Sequence, residues 1–138
     1  MKKINLSDIE NVAHGLAIRL MEWGEPIPPF ISRYPHKLES CLATPFQTYN
    51  KKALYRTLID KAAVLFYLMI KNHPFKNGNK RIAVTSLLCF LAINDKWISV
   101  NPHELYSFAM FVAESPAKYQ KEIVNIVKKF IKNHSTTF

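Results

Sequence analysis

The strongest constraint on the fold is a polar nonapeptide placed between two apolar segments. Residues 62–70 (AAVLFYLMI) are apolar without interruption, and residues 82–93 (IAVTSLLCFLAI) contain only two polar side chains, Thr85 and Ser86. Between them lie residues 73–81, HPFKNGNKR. Helices that are apolar on nearly every side are buried at the centre of a domain. The pattern therefore predicts a central, buried helix pair joined by a loop rich in polar and charged side chains.

The rest of the chain also favours helices, and strands are hard to find. Apolar spacing and helix-end signals predict helices over 8–21, 36–43, 57–72, 79–93, 103–114 and 116–132. The expected N-caps are Ser7 (with Glu10 in a capping box), Thr57 (with Asp60), Asn101 and Ser115. Residues 44–56 lack a helical period and are expected to form a surface loop or a short hairpin. The predicted class is all-α.

Length and charge limit the organisation and the partners. A chain of 138 residues with no linker or repeat is expected to form one domain, residues 1–138. The net charge of +9 favours an anionic partner, which could be a nucleic acid, nucleotide phosphates or an acidic protein. In the last predicted helix a basic face lies opposite an apolar face. Packing of that apolar face on the core is favoured over membrane or partner binding.

The cellular compartment of the protein is predicted from its cysteines and its hydropathy. Cys41 and Cys89 lie far apart, and Cys89 is inside an apolar run, so both are expected to be buried free thiols, as in a reducing cytoplasm. Neither apolar segment has the roughly 20 residues that span a bilayer. The first residues, MKKINLSDIEN, do not resemble a secretory signal. A soluble, cytoplasmic protein without membrane association is expected.

The polar loop has the features of an anion site with a base beside it. Gly78 can adopt a positive φ, and Asn79 to Arg81 form the first turn of the next helix, where free N–H groups attract anions. Lys80 and Arg81 add positive charge there. His73 is the loop residue whose ordinary pKa, about 6.5, allows it to accept a proton near neutral pH. Phe75 is expected to anchor the loop in the core. A purely structural turn is the alternative interpretation.

The loop HPFKNGNKR resembles the signature of the Fic/Doc family, usually written HPFx(D/E)GN(G/K)R. Further segments follow the order and spacing of the death-on-curing (Doc-like) branch: LESCLATPFQ (38–47), KAAVLFYLMIKNHPFKNGNKRIA (61–83) and FLAINDKWI (90–98). This resemblance implies a single-domain Fic fold, a helical bundle around the central helix pair, with a flap near residues 44–56.

The resemblance also implies roles for individual residues. His73 matches the catalytic base that takes the proton from a target protein's hydroxyl, and Phe75 matches the buried anchor. Gly78 and Asn79 match the anion cradle, and Arg81 matches the arginine that contacts the phosphates of ATP. Within the flap, which docks the target by strand pairing, the candidate contacts are Tyr49 and Lys51.

Two loop positions bear on the chemistry. Lys80 stands where AMP-transferring members carry glycine. Death-on-curing toxins resemble this chain there, and this favours transfer of the γ-phosphate over transfer of AMP. Asn77 stands where the family has Asp or Glu to hold Mg²⁺. An amide keeps the oxygen but loses the charge, so metal binding at Asn77 is expected to be weak. No acid lies near in sequence; Asp60 is at the far end of the preceding helix.

The expected function is that of a toxin-like modifier that transfers phosphate from ATP to a hydroxyl of a target protein. The resemblance suggests that this target is a translation elongation factor. Ser7–Asn11 is one residue short of the family's inhibitory motif and is interpreted as a helix cap. An external, acidic antitoxin is therefore expected as a partner. The alternatives are AMP or nucleotidyl transfer on the same fold, and a catalytically impaired binding module, which Asn77 supports. Nucleic-acid binding rests on charge alone and is disfavoured.

Overall fold

The computed structural model of the chain describes residues 1–21 and 24–137, and its architecture is all-α, as predicted. Helix α1 consists of three consecutive segments, Leu6–Asp8, a π-helical segment Ile9–Ala13, and His14–Leu20. The following helices are α2 (Pro35–Ala43), α3 (Leu58–Lys71), α4 (Asn79–Ile93), α5 (Pro102–Glu114) and α6 (Gln120–His134). Single 3-10 turns occupy Phe30–Ser32, Thr44–Phe46 and Ala117–Tyr119.

Helices α3 and α4 form the predicted central pair. They pack against each other, and α6 packs on α3 while α5 packs on α4. Leu65, Phe66, Ile82, Leu87 and Phe90 of this pair are almost fully buried. Each such side chain contributes roughly 1.5–3 kcal/mol by leaving water. The pair is therefore the structural centre that holds the two ends of the polar loop in place.

Two short antiparallel sheets accompany the helices. Strands β1 (Thr48–Tyr49) and β2 (Lys52–Ala53) form a hairpin inside residues 44–56, one of the two forms expected there. Strands β3 (Lys96–Ile98) and β4 (Ser135–Thr137) pair after α4 and after α6, and the sequence analysis missed them. Three residues are too few to show an alternating pattern, and only the folded helices bring these distant segments together.

Helix N-termini were predicted correctly at two positions. The Thr57 hydroxyl accepts from the Asp60 N–H at 3.0 Å, and the Asp60 carboxylate accepts from the Thr57 N–H at 3.3 Å. This is the expected capping box of α3. Asn101 likewise caps α5 by accepting from the Glu104 N–H at 2.9 Å. Both caps satisfy N–H groups that the helix itself cannot pair.

Two other predicted caps were wrong. The capping box of α1 uses Asn5 and Asp8 instead of Ser7 and Glu10, because Asn5 comes one residue before the first helical position while Ser7 is already helical. Ser115 does not open the last helix. Its hydroxyl donates to the Val112 carbonyl and so ends α5. A 3-10 turn follows, and α6 begins only at Gln120.

The remaining expectations concern α6, the thiols and the membrane. Ile123, Val127 and Ile131 of α6 are buried, so its apolar face packs on the core. Cys41 and Cys89 are buried and free, as predicted. Burial raises the pKa of the Cys41 thiol to about 11, and a hydrogen bond with the Asn72 side chain only partly offsets this. No helix within the described ranges has both the length and the apolar content needed to cross a bilayer.

Candidate functional site

The Asn79 side chain fixes the backbone of the polar loop. Its amide oxygen accepts from the Phe75 N–H at 2.9 Å, and its amide nitrogen donates to the Phe75 carbonyl at 2.8 Å. These two bonds close the loop onto the first residue of α4. Asn79 was predicted to belong to an anion cradle; in the structure its side chain is nearly buried and is used as a clamp on the loop.

His73 is the first residue of this loop. Helix α3 ends at Lys71, and His73 has a φ of +48°, a left-handed conformation that a non-glycine residue adopts at a cost of roughly 1–3 kcal/mol. Its imidazole Nδ1 lies 3.4 Å from the Asn79 amide nitrogen, and the residue is exposed. Such strain is typical of functional positions. The imidazole is therefore presented to solvent from a backbone that its neighbours hold in place.

Phe75 is buried beneath the loop and joins three parts of the molecule. It is 1% exposed, and its ring centroid lies 5.8 Å from that of His14 on α1 and 6.0 Å from that of Phe30. Phe30 belongs to residues 24–34, a proline-rich segment that we call the strap. The His14 ring also bonds the Pro28 carbonyl at 2.9 Å, with Nε2 as the donor. The strap is thus pinned against the underside of the loop.

Gly78 opens α4 without capping it. Its φ is +77°, and it has no side chain to accept from the N–H groups of the first turn. A Cβ added at this position would lie 2.8 Å from the Ile27 Cγ1 of the strap, so both conformation and space favour glycine. In contrast, α1, α3 and α5 have side-chain caps. The first turn of α4 thus keeps the uncapped N–H groups and positive dipole end that attract anions.

Arg81 does not point freely into solvent. It is 5% exposed, and its guanidinium donates to the Met21 carbonyl at 3.2 Å and to the Glu25 carbonyl at 2.6 Å. Lys80, one residue earlier, is half-buried. The predicted phosphate contact of Arg81 therefore competes with two backbone carbonyls, that of Met21 at the end of α1 and that of Glu25 in the strap. A nucleotide that uses this arginine would have to displace or share these bonds.

Asn77 is also engaged by the strap. Its amide nitrogen donates to the Glu25 carboxylate at 2.9 Å and to the Pro26 carbonyl at a longer 3.4 Å, while its amide oxygen accepts from the Gly78 N–H at 2.7 Å. The sequence analysis placed no acid near this position. The structure brings one there from 52 residues away.

The hairpin of residues 48–53 is exposed and anchored at one end. Asn50 and Lys51 at its tip both have positive φ, the geometry of the tight turn that matches strand twist. Tyr49 is 69% exposed. At the other end the Lys61 ammonium of α3 donates to the Tyr55 carbonyl. Tyr49 and Lys51 are therefore accessible, and the hairpin has short edges on which another chain could pair.

A cleft of about 300 Å³ adjoins the loop. It is lined by Ile18, Met21, Gly24, Pro26, Ile27 and Arg81. A second cleft, of about 370 Å³, lies between the end of the hairpin and α6. Its lining includes Lys121 and Lys128 but neither a histidine nor a carboxylate. Of these two clefts, the first contains a residue of the loop, Arg81, and the second contains none.

Sequence reasoning missed the contribution of the strap to this site. Glu25, Pro26 and Ile27 contact the loop through side-chain or backbone atoms. Their local sequence, GEPIPPF, predicts only an extended segment after a helix. No periodicity or spacing signal relates them to residues 77–81, because the contact depends on how α1 packs on α4.

Comparison with known proteins gives a family match over the part of the chain that contains the loop. A model of the Fic/DOC family matches residues 4–91, a range that includes α1, the strap, the hairpin, the loop and most of α4. No curated protein and no solved structure matches the chain. The matched range is well over half of the sequence and includes every residue of the candidate site. The chain belongs to the Fic/DOC family.

Proposed function

We propose that this chain transfers the γ-phosphate of ATP to a hydroxyl of a target protein, as a member of the death-on-curing branch. Family membership supports the coarser activity, modification of targets by transfer from a nucleotide. The observation that carries the proposal is the exposed His73 held beside the uncapped N-terminus of α4. Lys80 supports phosphate over AMP transfer, since a lysine takes up space and adds charge where glycine would leave room.

The reaction requires a base and an anion cradle. The hydroxyl oxygen of the target forms a bond to the γ-phosphorus, the bond from that phosphorus to the bridging oxygen breaks, and ADP leaves. The His73 imidazole takes the hydroxyl proton. The N–H groups of the first turn of α4 and the ammonium of Lys80 stabilise the phosphate oxygens. Arg81 joins them where the carbonyls of Met21 and Glu25 release it.

The residues present fit a bound Mg²⁺ that is also held by the nucleotide. Mg²⁺ prefers oxygen ligands and is commonly held by one or two carboxylates together with phosphates. The Glu25 carboxylate supplies such an oxygen next to position 77, where the Asn77 amide donates its N–H to that carboxylate and accepts from the Gly78 N–H with its oxygen. Among the described residues there is no group of three or more His, Cys, Asp or Glu side chains that could hold a metal alone. When bound, Mg²⁺ neutralises charge on the phosphates.

A catalytically impaired binding module is the second candidate function. Asn77 in place of an acid supports it, and so do the bonds from both terminal nitrogens of the Arg81 guanidinium to backbone carbonyls. AMP transfer at the same loop is the third candidate function. The position of the label separates all three, since phosphate transfer uses the γ-phosphorus, AMP transfer the α-phosphorus, and a binding module neither.

The test is incubation of the purified chain with γ-labelled or α-labelled ATP and cell lysate, with and without Mg²⁺. We expect γ-label on a protein band, with elongation factor as the first purified target to try. His73→Ala should abolish both this label and growth arrest in cells. His36→Ala is the matched control, because His36 is a fully exposed histidine on α2. Label transfer by His73→Ala at the wild-type rate would refute the proposal, and α-label would replace it with AMP transfer.

An acidic antitoxin is the proposed restraint on this activity. The net charge of +9 favours an acidic partner. The segment Ser7–Asn11 lies inside the first two segments of α1, with Glu10 exposed, so it is an ordinary part of that helix. If an acidic protein is encoded beside this chain, its co-expression should relieve growth arrest. Continued arrest at matched expression would refute this pairing.

A further inference from the structure

We infer that Glu25 supplies the carboxylate of the metal site, in place of the acid that position 77 lacks. The inference rests on the proposed function, because it assumes that the loop binds a nucleotide with Mg²⁺. Its basis is a direct contact, since the Glu25 carboxylate accepts a hydrogen bond from the Asn77 amide at 2.9 Å. A carboxylate thus stands next to the loop position where Asp or Glu was expected, but it comes from the strap.

The charge of the loop favours such a carboxylate. Residues 73–81 include Lys76, Lys80 and Arg81 and no acid. A divalent cation placed among three positive side chains is repelled by each of them. Phosphates of the nucleotide offset part of this repulsion. A neutral amide at position 77 offsets none of it, so a carboxylate at hydrogen-bond distance from that amide is the available compensation.

The backbone of Glu25 is held so that its side chain stays there. Its own carbonyl accepts from the Arg81 guanidinium at 2.6 Å. Pro26 follows directly and restricts Glu25 to extended geometry. Ile27 then fills the space that a Cβ on Gly78 would occupy. Glu25, Pro26 and Ile27 of the strap therefore each contact a residue of the loop. These contacts fix the backbone from which the Glu25 carboxylate extends.

Asp60, the acid considered from sequence, cannot take this role. It caps the N-terminus of α3 and lies 3.3 Å from the Lys128 ammonium. At a rise of about 1.5 Å per residue it is roughly 16 Å along the helix axis from the end of α3 that carries the loop.

The experiment measures binding, so it does not depend on turnover. Affinity for an ATP analogue with a non-hydrolysable β,γ-imido bridge is measured by calorimetry with and without Mg²⁺, and bound Mn²⁺ is counted by electron paramagnetic resonance. We expect Glu25→Gln to weaken the metal-dependent part of the affinity by about tenfold or more and to leave the metal-free affinity unchanged or slightly improved. Glu39→Gln is the matched control, an exposed acid on α2.

A rescue variant distinguishes ligation from a structural role. Asn77→Asp restores an acid within the loop, so in the Glu25→Gln background it should recover most of the lost metal dependence. A merely structural Glu25 would not be rescued in this way. If Glu25→Gln leaves metal dependence at the wild-type level, the inference fails while the proposed function stands.

The same data address a rival role for the carboxylate. If Glu25→Gln tightens nucleotide binding to a similar extent with and without Mg²⁺, the carboxylate competes with phosphate for the cradle, and the inference is overturned. A wild-type chain that binds no nucleotide under any condition refutes the proposed function and this inference together. Each outcome therefore has a distinct signature in the titrations.

Discussion

The helix pair α3–α4 and the strap meet at the same loop but are held in different ways. Most side chains of the pair are buried and none is exposed, and its helices begin and end at defined residues. The strap is attached at separate points. Near its start the Arg81 guanidinium donates to the Glu25 carbonyl, and at its middle the His14 ring donates to the Pro28 carbonyl. At its end the Tyr34 N–H donates to the Pro74 carbonyl at 2.9 Å. Between these points Ile31 is 85% exposed.

This difference separates two parts of the site. The pair determines where His73 and the first turn of α4 lie, because both are continuous with buried helices. The strap determines much of what surrounds Arg81 and Asn77, because it supplies the Glu25 carbonyl that Arg81 contacts and the Glu25 carboxylate that Asn77 contacts. Changes to the pair should therefore affect folding and chemistry together, whereas changes to the strap should affect nucleotide and metal binding with a smaller effect on stability.

The largest expected effect comes from the aromatic contact where the two regions meet. Phe75→Ala removes a fully buried ring and should lower the free energy of unfolding by about 3–5 kcal/mol. Phe30→Ala removes the strap side of the same contact. Because Phe30 is half-buried, the expected loss is about 1–2 kcal/mol. Urea denaturation followed by circular dichroism measures both losses. Equal losses would show that the strap is as much a part of the core as the loop.

The sequence was sufficient for the pair and insufficient for the strap, for a physical reason. Long apolar runs, Thr57 with Asp60, and the Gly78–Asn79 junction are local signals, and they placed α3 and α4 to within about a residue. The position of Glu25 beside Asn77 depends on packing across more than fifty residues. The proline-rich strap has no periodic sequence pattern from which that packing could be predicted.

The same limit applies to individual side chains in the loop. The sequence identified Arg81 and Asn79 as polar groups at a helix start. It could not indicate that Arg81 faces two carbonyls or that Asn79 bonds both backbone groups of Phe75. Such bonds depend on where a neighbouring segment leaves its polar groups unpaired. Their geometry is a property of the fold and not of the motif.

An intermediate effect is expected at Gly78, where the strap contacts the first turn of α4. Gly78→Ala adds a Cβ 2.8 Å from Ile27 Cγ1 and keeps an alanine at a φ of +77°. We expect a loss of about 2 kcal/mol, of which roughly half is the left-handed backbone. Ile27→Ala should remove the steric part, so in that background Gly78→Ala should cost only about 1 kcal/mol.

A double-mutant cycle measured by urea denaturation tests this division. Additive losses would mean that the strap moves away from the added methyl group without cost. In that case the contact between Ile27 and Gly78 would not hold the strap in place, and the orientation of Glu25 would depend on its bonds with Arg81 and Asn77.

The smallest expected effect compares two hydroxyl groups, one in each region. Thr57→Ala removes the cap of α3, whose hydroxyl accepts from the Asp60 N–H, and should cost about 1 kcal/mol. Ser32→Ala removes a hydroxyl that donates to the Pro29 carbonyl at 2.6 Å within the strap. That carbonyl already accepts from the Ser32 backbone N–H at 3.0 Å, so the expected loss is only about 0.5 kcal/mol or less. Thermal unfolding of the two variants at one pH gives the ranking. If Ser32→Ala proved the more costly change, the strap would be ordered by its own internal turn. Its contacts with the loop would then follow from that order instead of causing it.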